Sequence, residues 1–171
     1  MTTIHEPLSK TQAIQLIEHT SEVPYKVLFQ LIFSTALNTQ EAINLKVFSD
    51  NPDDAHKAIT ISPTRGPRNV VLPQETFKLL NEFRATHGAT DRYFPENMVT
   101  RDGAIEAFNT AAKMIGLSES FSLASLRVAA INSFVQDGMS SDSIVKLLGF
   151  TSLLMTPHYL SKSNQRHNLE N

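Results

Sequence analysis

The hydrophobic positions of this chain recur mostly at helical spacing. Apolar residues three and four positions apart form one face of an amphipathic helix. Stretches of this kind predict helices after residue 9, over about residues 23–37, after residue 38, from Pro73 onward, over residues 101–115, over about residues 122–136 and over residues 141–148. The pattern therefore predicts three helices, a short segment of different character, and four or five further helices.

Two of the predicted helices begin with a capping box, in which the first and fourth residues exchange side-chain and backbone hydrogen bonds. Ser9 and Gln12 form the first box, and Asn38 and Glu41 form the second. Because asparagine is among the best residues at a helix N-cap, Asn38 is predicted to cap the third helix. Glycine is typical of the position just past a helix, so Gly116 predicts the end of the helix before it.

The segment between the third and fourth helices has the alternating, β-branched pattern of strands. Residues 58–62 and 69–72 are predicted strands, and the linking residues 63–68 are basic and rich in turn formers. Together they predict an antiparallel hairpin, with residues 46–49 as an open candidate for a third strand. The predicted fold class is mainly α with a small antiparallel β-sheet (α+β).

Composition sets the class of protein to expect. A chain of 171 residues, 41% hydrophobic and 19% charged, has the size and apolar content of one folded domain, so residues 1–171 are predicted to form a single domain. The polar residues 161–171 are predicted to be a mobile tail. The chain has no cysteine, no apolar run of about 18 residues and no signal peptide at its start, so a cytoplasmic protein is expected.

The charge balance shows no excess of basic residues. The 15 basic and 17 acidic residues leave a formal charge of −2, whereas DNA-binding domains usually carry a basic excess. This argues mildly against nucleic acid but leaves room for a local basic patch. The six histidines show no metal-ligand spacing, and no phosphate-binding loop occurs. Neither a metal nor a cofactor is therefore predicted.

Three motifs stand in a fixed order near the end of the chain. Ala124-Ser-Leu-Arg127 comes first, Leu147-Leu-Gly-Phe150 comes second, and Tyr159 follows. This order resembles the catalytic domain of the tyrosine recombinase (phage integrase) family. That family carries His-x-x-Arg, then Leu-Leu-Gly-His, then a nucleophilic tyrosine nine residues after that histidine. The same frame is kept here, with Ala124 and Phe150 in place of the two histidines.

A second match lies at the predicted start of the third helix. The family motif Gly-Leu-Arg-x-x-Glu-Leu is similar to Ala36-Leu37-Asn38-Thr-Gln-Glu41-Ala. The leucine and glutamate positions match, and Asn38 replaces the first catalytic arginine. With weaker matches after the hairpin, the resemblance covers about residues 7–159.

The resemblance implies a site for DNA strand cleavage from which most groups are missing. In active members the tyrosine attacks a DNA phosphodiester, two arginines clamp the phosphate, and a lysine and histidines handle protons and charge. The corresponding positions are lost here at Asn38, Ala124 and Phe150, and the hairpin turn has no lysine. Losing one preorganised donor typically costs about 10²–10³-fold in rate. Arg127 and Tyr159 are therefore predicted to be vestigial catalytic residues, and cleavage is expected to be very slow or absent.

Double-stranded DNA is the partner that the resemblance implies. Arg65 and Arg68 in the predicted hairpin turn, together with Arg127, are the candidate DNA-binding residues, and Arg65 is also the candidate to fill part of the missing lysine's space. Each has a second interpretation. Arg127 is also expected as a buried structural arginine, with Glu41 as a candidate ion-pair partner, and the hairpin arginines as part of a solvated turn. Tyr159 is expected as a packed or hydrogen-bonded tyrosine rather than as a nucleophile.

Three functions remain open on the sequence. The first is a DNA-binding protein with a degenerate recombinase fold that does not cut DNA. The second is an active site-specific recombinase or integrase that uses Tyr159 as its nucleophile. The third is a protein-interaction module, in which residues 161–171 dock on another copy of the chain or on a recombinase partner. The family's N-terminal core-binding domain is expected to be absent, since the chain begins at the first helix of the catalytic domain.

Overall fold

The computed structural model describes residues 7–48, 58–61, 68–88 and 91–148. Seven helices and two short strands lie within these ranges. In chain order they are α1 (Lys10–Glu18), α2 (Val23–Thr35), α3 (Thr39–Ile43), β1 (Ala58–Ile61), β2 (Arg68–Val71), α4 (Gln74–His87), α5 (Arg101–Met114), α6 (Leu123–Gln136) and α7 (Ser141–Leu148). The mainly helical fold predicted from the hydrophobic pattern is confirmed.

The two strands pair with each other in antiparallel fashion, with Ile61 opposite Arg68. Residues 46–48, the described part of the candidate third strand at 46–49, do not add a strand to this hairpin. Lys46 instead forms an isolated antiparallel bridge with Arg92. The segment that follows α4 thus supplies the backbone partners that the hairpin was expected to supply.

Helices α1 and α3 begin where the predicted capping boxes placed their starts, and both boxes form. The backbone N–H of Gln12 donates to Ser9 Oγ at 3.1 Å, and that of Ser9 donates to Gln12 Oε1 at 3.0 Å. The box between Asn38 and Glu41 is closed by two bonds of 2.9 Å. Pro73 differs from the prediction by one position, because its extended backbone makes it the N-cap of α4 rather than the first helical residue.

The end of α2 differs more clearly from the prediction, because the helix ends at Thr35. Ala36 turns the chain out of the helix with a φ of 55°, in the left-handed region. A non-glycine residue costs about 1–2 kcal/mol in this conformation, so contacts from elsewhere in the fold must hold it. The turn sends Leu37 into the core, where it is fully buried, and places Asn38 at the start of α3.

The hydrophobic core is centred on α2. This helix contacts α1, α3, α4 and α6, and the ring of its buried Phe29 meets Phe108 of α5 edge-on, with 6.3 Å between the ring centroids. A second apolar cluster joins the end of α2 to α6 and α7, and its buried members are Ala36, Ala130, Ile131, Ile144 and Leu148. Helices α3, α5 and α6 therefore all pack against α2.

Gly103 allows the first turn of α5 to approach α2 closely. A Cβ atom at this position would overlap the hydroxyl of Tyr25 and lie 2.7 Å from its Cζ. Tyr25 is only 8% exposed, so its ring has little room to move aside. The start of α5 is therefore seated directly on the side chain of Tyr25.

Candidate functional site

A cleft of about 570 Å³ opens where α5 lies beside α3 and α6. Its walls come from α2 and the residues that follow it, the start of α3, one face of α5 and the first turns of α6. The lining residues are Ile32, Leu37, Asn38, Thr39, Gln40, Arg101, Ile105, Asn109, Ser122, Leu123, Ala124 and Arg127. Tertiary packing thus builds the cleft from three separate stretches of the chain, residues 32–40, 101–109 and 122–127.

Arg127 lies in the second turn of α6 and is half-buried. Its Nε donates a 2.8 Å hydrogen bond to the carbonyl oxygen of Ala36, 91 residues earlier. Because Ala36 has no exposed surface, its carbonyl depends on a donor from the protein. Arg127 therefore has a structural role and borders the cleft at the same time. The ion pair with Glu41 stays a prediction.

Asn38 lines the cleft from the start of α3. Its Oδ1 accepts the backbone N–H of Glu41, and its own N–H donates to Glu41 Oε2. The predicted N-cap role is therefore confirmed. An arginine at this position would offer a planar cation able to bind phosphate through two parallel bonds. An asparagine whose oxygen is committed to its own helix offers at most neutral N–H donors.

Ala124 is the second residue of α6 and lies exposed at the cleft. Its methyl group can neither donate nor accept a proton. The first turn of a helix nevertheless carries backbone N–H groups without helical acceptors, and the helix dipole adds partial positive charge there. This wall therefore favours an anion even though its side chain is inert.

The other predicted site residues lie in the hairpin or outside the described ranges. Arg68 is the first residue of β2, in the hairpin. Arg65, Phe150 and Tyr159 lie outside the described ranges, as do residues 161–171. The structure thus brings Asn38, Ala124 and Arg127 together, and the roles of the remaining residues stay predictions.

Sequence reasoning missed the wall of the cleft that α5 contributes. Arg101, Ile105 and Asn109 line this wall. They are spaced four residues apart, so one stripe of the helix presents all three. The spacing is visible in the sequence, but no feature of it distinguishes this face of α5 from the others.

The chemistry of the cleft favours binding of an anion over proton transfer. Arg101 and Arg127 supply positive charge, and the described lining contains no carboxylate, histidine or lysine. Within the same described part of the chain, no three His, Cys, Asp or Glu residues are grouped as a metal site requires. None of the described cleft residues is therefore suited to act as a general base.

Residues 6–166 match the phage integrase family. The match covers nearly the whole chain, so the chain belongs to this family, and the resemblance based on the motifs around Arg127 is confirmed. No protein of curated function matches the chain. In the described segments, no helix is both long enough and apolar enough to cross a membrane.

Several solved structures share the fold. The XerA recombinase has a TM-score of 0.75 and 18% identity, with coverage of 98% of this chain and 65% of the other. The XerH recombinase bound to a palindromic difH substrate, in a post-cleavage complex, has a TM-score of 0.76 and 17% identity, with coverage of 96% of this chain and 52% of the other. The Tn1549 transposon integrase in complex with transposon right end DNA has a TM-score of 0.72 and 13% identity, with coverage of 100% of this chain and 69% of the other. The chain thus spans about half to two thirds of the length of these proteins.

Proposed function

We propose that this chain is a DNA-binding protein with a degenerate recombinase site, which holds a backbone phosphate in the cleft without cutting the strand. One contrast within the cleft carries the proposal. Arg127 is fixed by its bond to Ala36, while Asn38 and Ala124 line the same cleft and stand where the family resemblance implies a clamping arginine and a proton-transferring histidine. The described lining of this cleft stabilises a phosphate but contains none of the groups that would activate a nucleophile.

The structural neighbours support DNA as the ligand, since the XerH recombinase and the Tn1549 integrase were both solved with DNA. The formal charge of −2 gives the whole chain no general attraction for phosphate. Binding therefore depends on local cations, which are Arg127 in the cleft together with Arg68 and the predicted hairpin-turn residue Arg65. Affinity is modest for one copy and increases when residues 161–171 dock on a second copy or on a recombinase partner.

Binding of the protein to random-sequence duplex DNA, titrated from low to physiological salt, tests the proposal. The logarithm of the affinity is expected to fall linearly with the logarithm of the salt concentration, by about 0.9 for each phosphate contacted. Absence of binding even at low salt would contradict the proposal and favour the protein-interaction function.

Tyr159→Phe is expected to leave this affinity unchanged, and neither protein is expected to become covalently attached to DNA. A phenol has an ordinary pKa of about 10, and the described cleft lining supplies no base to deprotonate it. Denaturing gel electrophoresis of the protein with end-labelled duplex detects any adduct. An adduct that forms with the wild type and disappears in Tyr159→Phe would establish the active recombinase instead.

Substitutions of Asn38 separate its capping role from the charge of the cleft. Serine and aspartate cap helices about as well as asparagine, so Asn38→Ser and Asn38→Asp are both expected to unfold near the wild-type urea concentration. Asn38→Ser is also expected to keep its DNA affinity. Asn38→Asp places a negative charge in the cleft, and a repulsion of about 1 kcal/mol lowers affinity about fivefold.

The Asn38→Ser protein is the matched control for that comparison, because it keeps the cap and adds no charge. Equal DNA affinity of the two variants, with equal stability, would show that DNA does not enter the cleft. Asn38→Ala, which removes the cap, is expected to cost about 1 kcal/mol of stability.

A further inference from the structure

We propose that Arg101 is the second phosphate-binding cation of the cleft and replaces the charge that Asn38 does not provide. This inference rests on the DNA-binding function proposed above. It adds a residue from α5, a helix that supplies none of the site residues predicted from sequence. Arg101 and Arg127 line the same cleft from two different helices, so they hold one stretch of phosphate backbone from two sides.

The first turns of α5 place a positive charge at the cleft and the negative charges of the helix elsewhere. Arg101 shares a stripe with Ile105 and Asn109, and this stripe borders the cleft. The two acidic residues of the helix, Asp102 and Glu106, instead line a neighbouring hollow of about 390 Å³. The cleft is therefore lined by the cation of this helix end and not by its carboxylates.

The side chain of Arg101 is available to a ligand. It is exposed, and among the described residues it makes no hydrogen bond or ion pair. Two other arginines differ, because Arg127 donates to Ala36 and Arg92 donates to Asn44 Oδ1 at 3.0 Å. A guanidinium that borders a cleft without a protein partner can donate to a phosphate there without breaking an existing contact.

The position of Arg101 is unfavourable for the helix itself. It is the first residue of α5, directly after the N-cap Thr100. The partial positive charge of a helix N-terminus repels a cation and attracts an anion. A phosphate bound at Arg101 relieves this repulsion, whereas a purely structural role would not explain a cation at this end. Loss of the charge should therefore affect stability and DNA binding in opposite directions.

Arg101→Gln tests the inference, with Lys113→Gln as the matched control. Both changes remove one positive charge from α5, but Lys113 lines the neighbouring hollow, with Asp102 and Glu106, and not the cleft. Arg101→Gln is expected to lower affinity for a short duplex about tenfold at low salt and to reduce the salt slope by about 1. Its Tm is expected to stay the same or to rise by roughly 1–3 °C. Lys113→Gln is expected to leave the affinity and the slope nearly unchanged.

Arg101→Lys adds a rescue, because it keeps the charge and should restore most of the salt slope. Wild-type binding together with an unchanged slope in Arg101→Gln would overturn the inference and leave the proposed function standing. Equal losses in Arg101→Gln and Lys113→Gln would also overturn it, because they would show only a general charge effect. If the wild type shows no salt-dependent binding, the inference and the proposed function fail together.

Discussion

Replacing Arg127 by alanine is expected to lower the free energy of unfolding by about 2–3 kcal/mol and to reduce DNA affinity at least about tenfold. Its Nε donates to the carbonyl of Ala36, a residue with no exposed surface. A hydrogen bond from a charged donor contributes about 1.5–3 kcal/mol, and a buried carbonyl that loses its donor keeps its desolvation penalty. Because Ala36 also holds a left-handed turn, the connection to Asn38 is expected to loosen.

Urea unfolding followed by circular dichroism measures the first effect of Arg127→Ala, and salt-titrated binding measures the second. Arg127→Met is the matched control, since it keeps the apolar stem of the side chain but removes the donor and the charge. Arg127→Lys keeps a cation without the planar fork and is expected to retain part of both properties. An Arg127→Met protein as stable as the wild type would show that the bond to Ala36 contributes nothing to the fold.

Gly103→Ala is expected to destabilise the protein by about 1–3 kcal/mol, the usual cost of forcing an extra group into a packed interior. The same change in an exposed helix ordinarily stabilises by about 1 kcal/mol, so the expected sign is the opposite of the usual one. The reason is the overlap of the added Cβ with the hydroxyl of Tyr25, which is buried beside it. The change should also displace Arg101, two residues earlier, and weaken DNA binding.

A double-mutant cycle with Tyr25→Leu isolates this contact. The shorter side chain removes the overlap, so Gly103→Ala is expected to become neutral or stabilising in the Tyr25→Leu background, as measured by urea unfolding. A Gly103→Ala protein more stable than the wild type would show that α5 can shift at no cost. In that case its first turn would not hold Arg101 in a defined place.

The helices of this protein were largely predictable because their signals are local. The capping boxes at Ser9 and Asn38 involve residues three positions apart, and both formed as predicted. The apolar faces of α5, α6 and α7 repeat at helical spacing, and these helices lie within one residue of the predicted ranges. Hydrogen bonds and side-chain spacing within one or two turns do not depend on the rest of the fold.

The backbone partner of Lys46 and the end of α2 were less predictable than the hairpin, because both depend on residues distant in the chain. Lys46 pairs with Arg92 rather than with the hairpin, and no local pattern indicates which segment will supply a backbone partner. Ala36 leaves α2 although alanine is the best helix former. The carbonyl at that turn is held by Arg127, from a helix that begins 87 residues later in the chain.

The sequence by itself determined the helical pattern and the order of motifs that identifies the phage integrase family. In those motifs Arg127 is kept, while Asn38 and Ala124 stand in place of the family's arginine and histidine. Only the tertiary structure decided that these three residues share one cleft, and that Arg101 joins them from α5. Charge and spacing along the chain cannot show which face of a helix will meet which neighbour. The packing of α5 beside α3 and α6 places two cations in one cleft, because it brings together residues that the sequence keeps far apart.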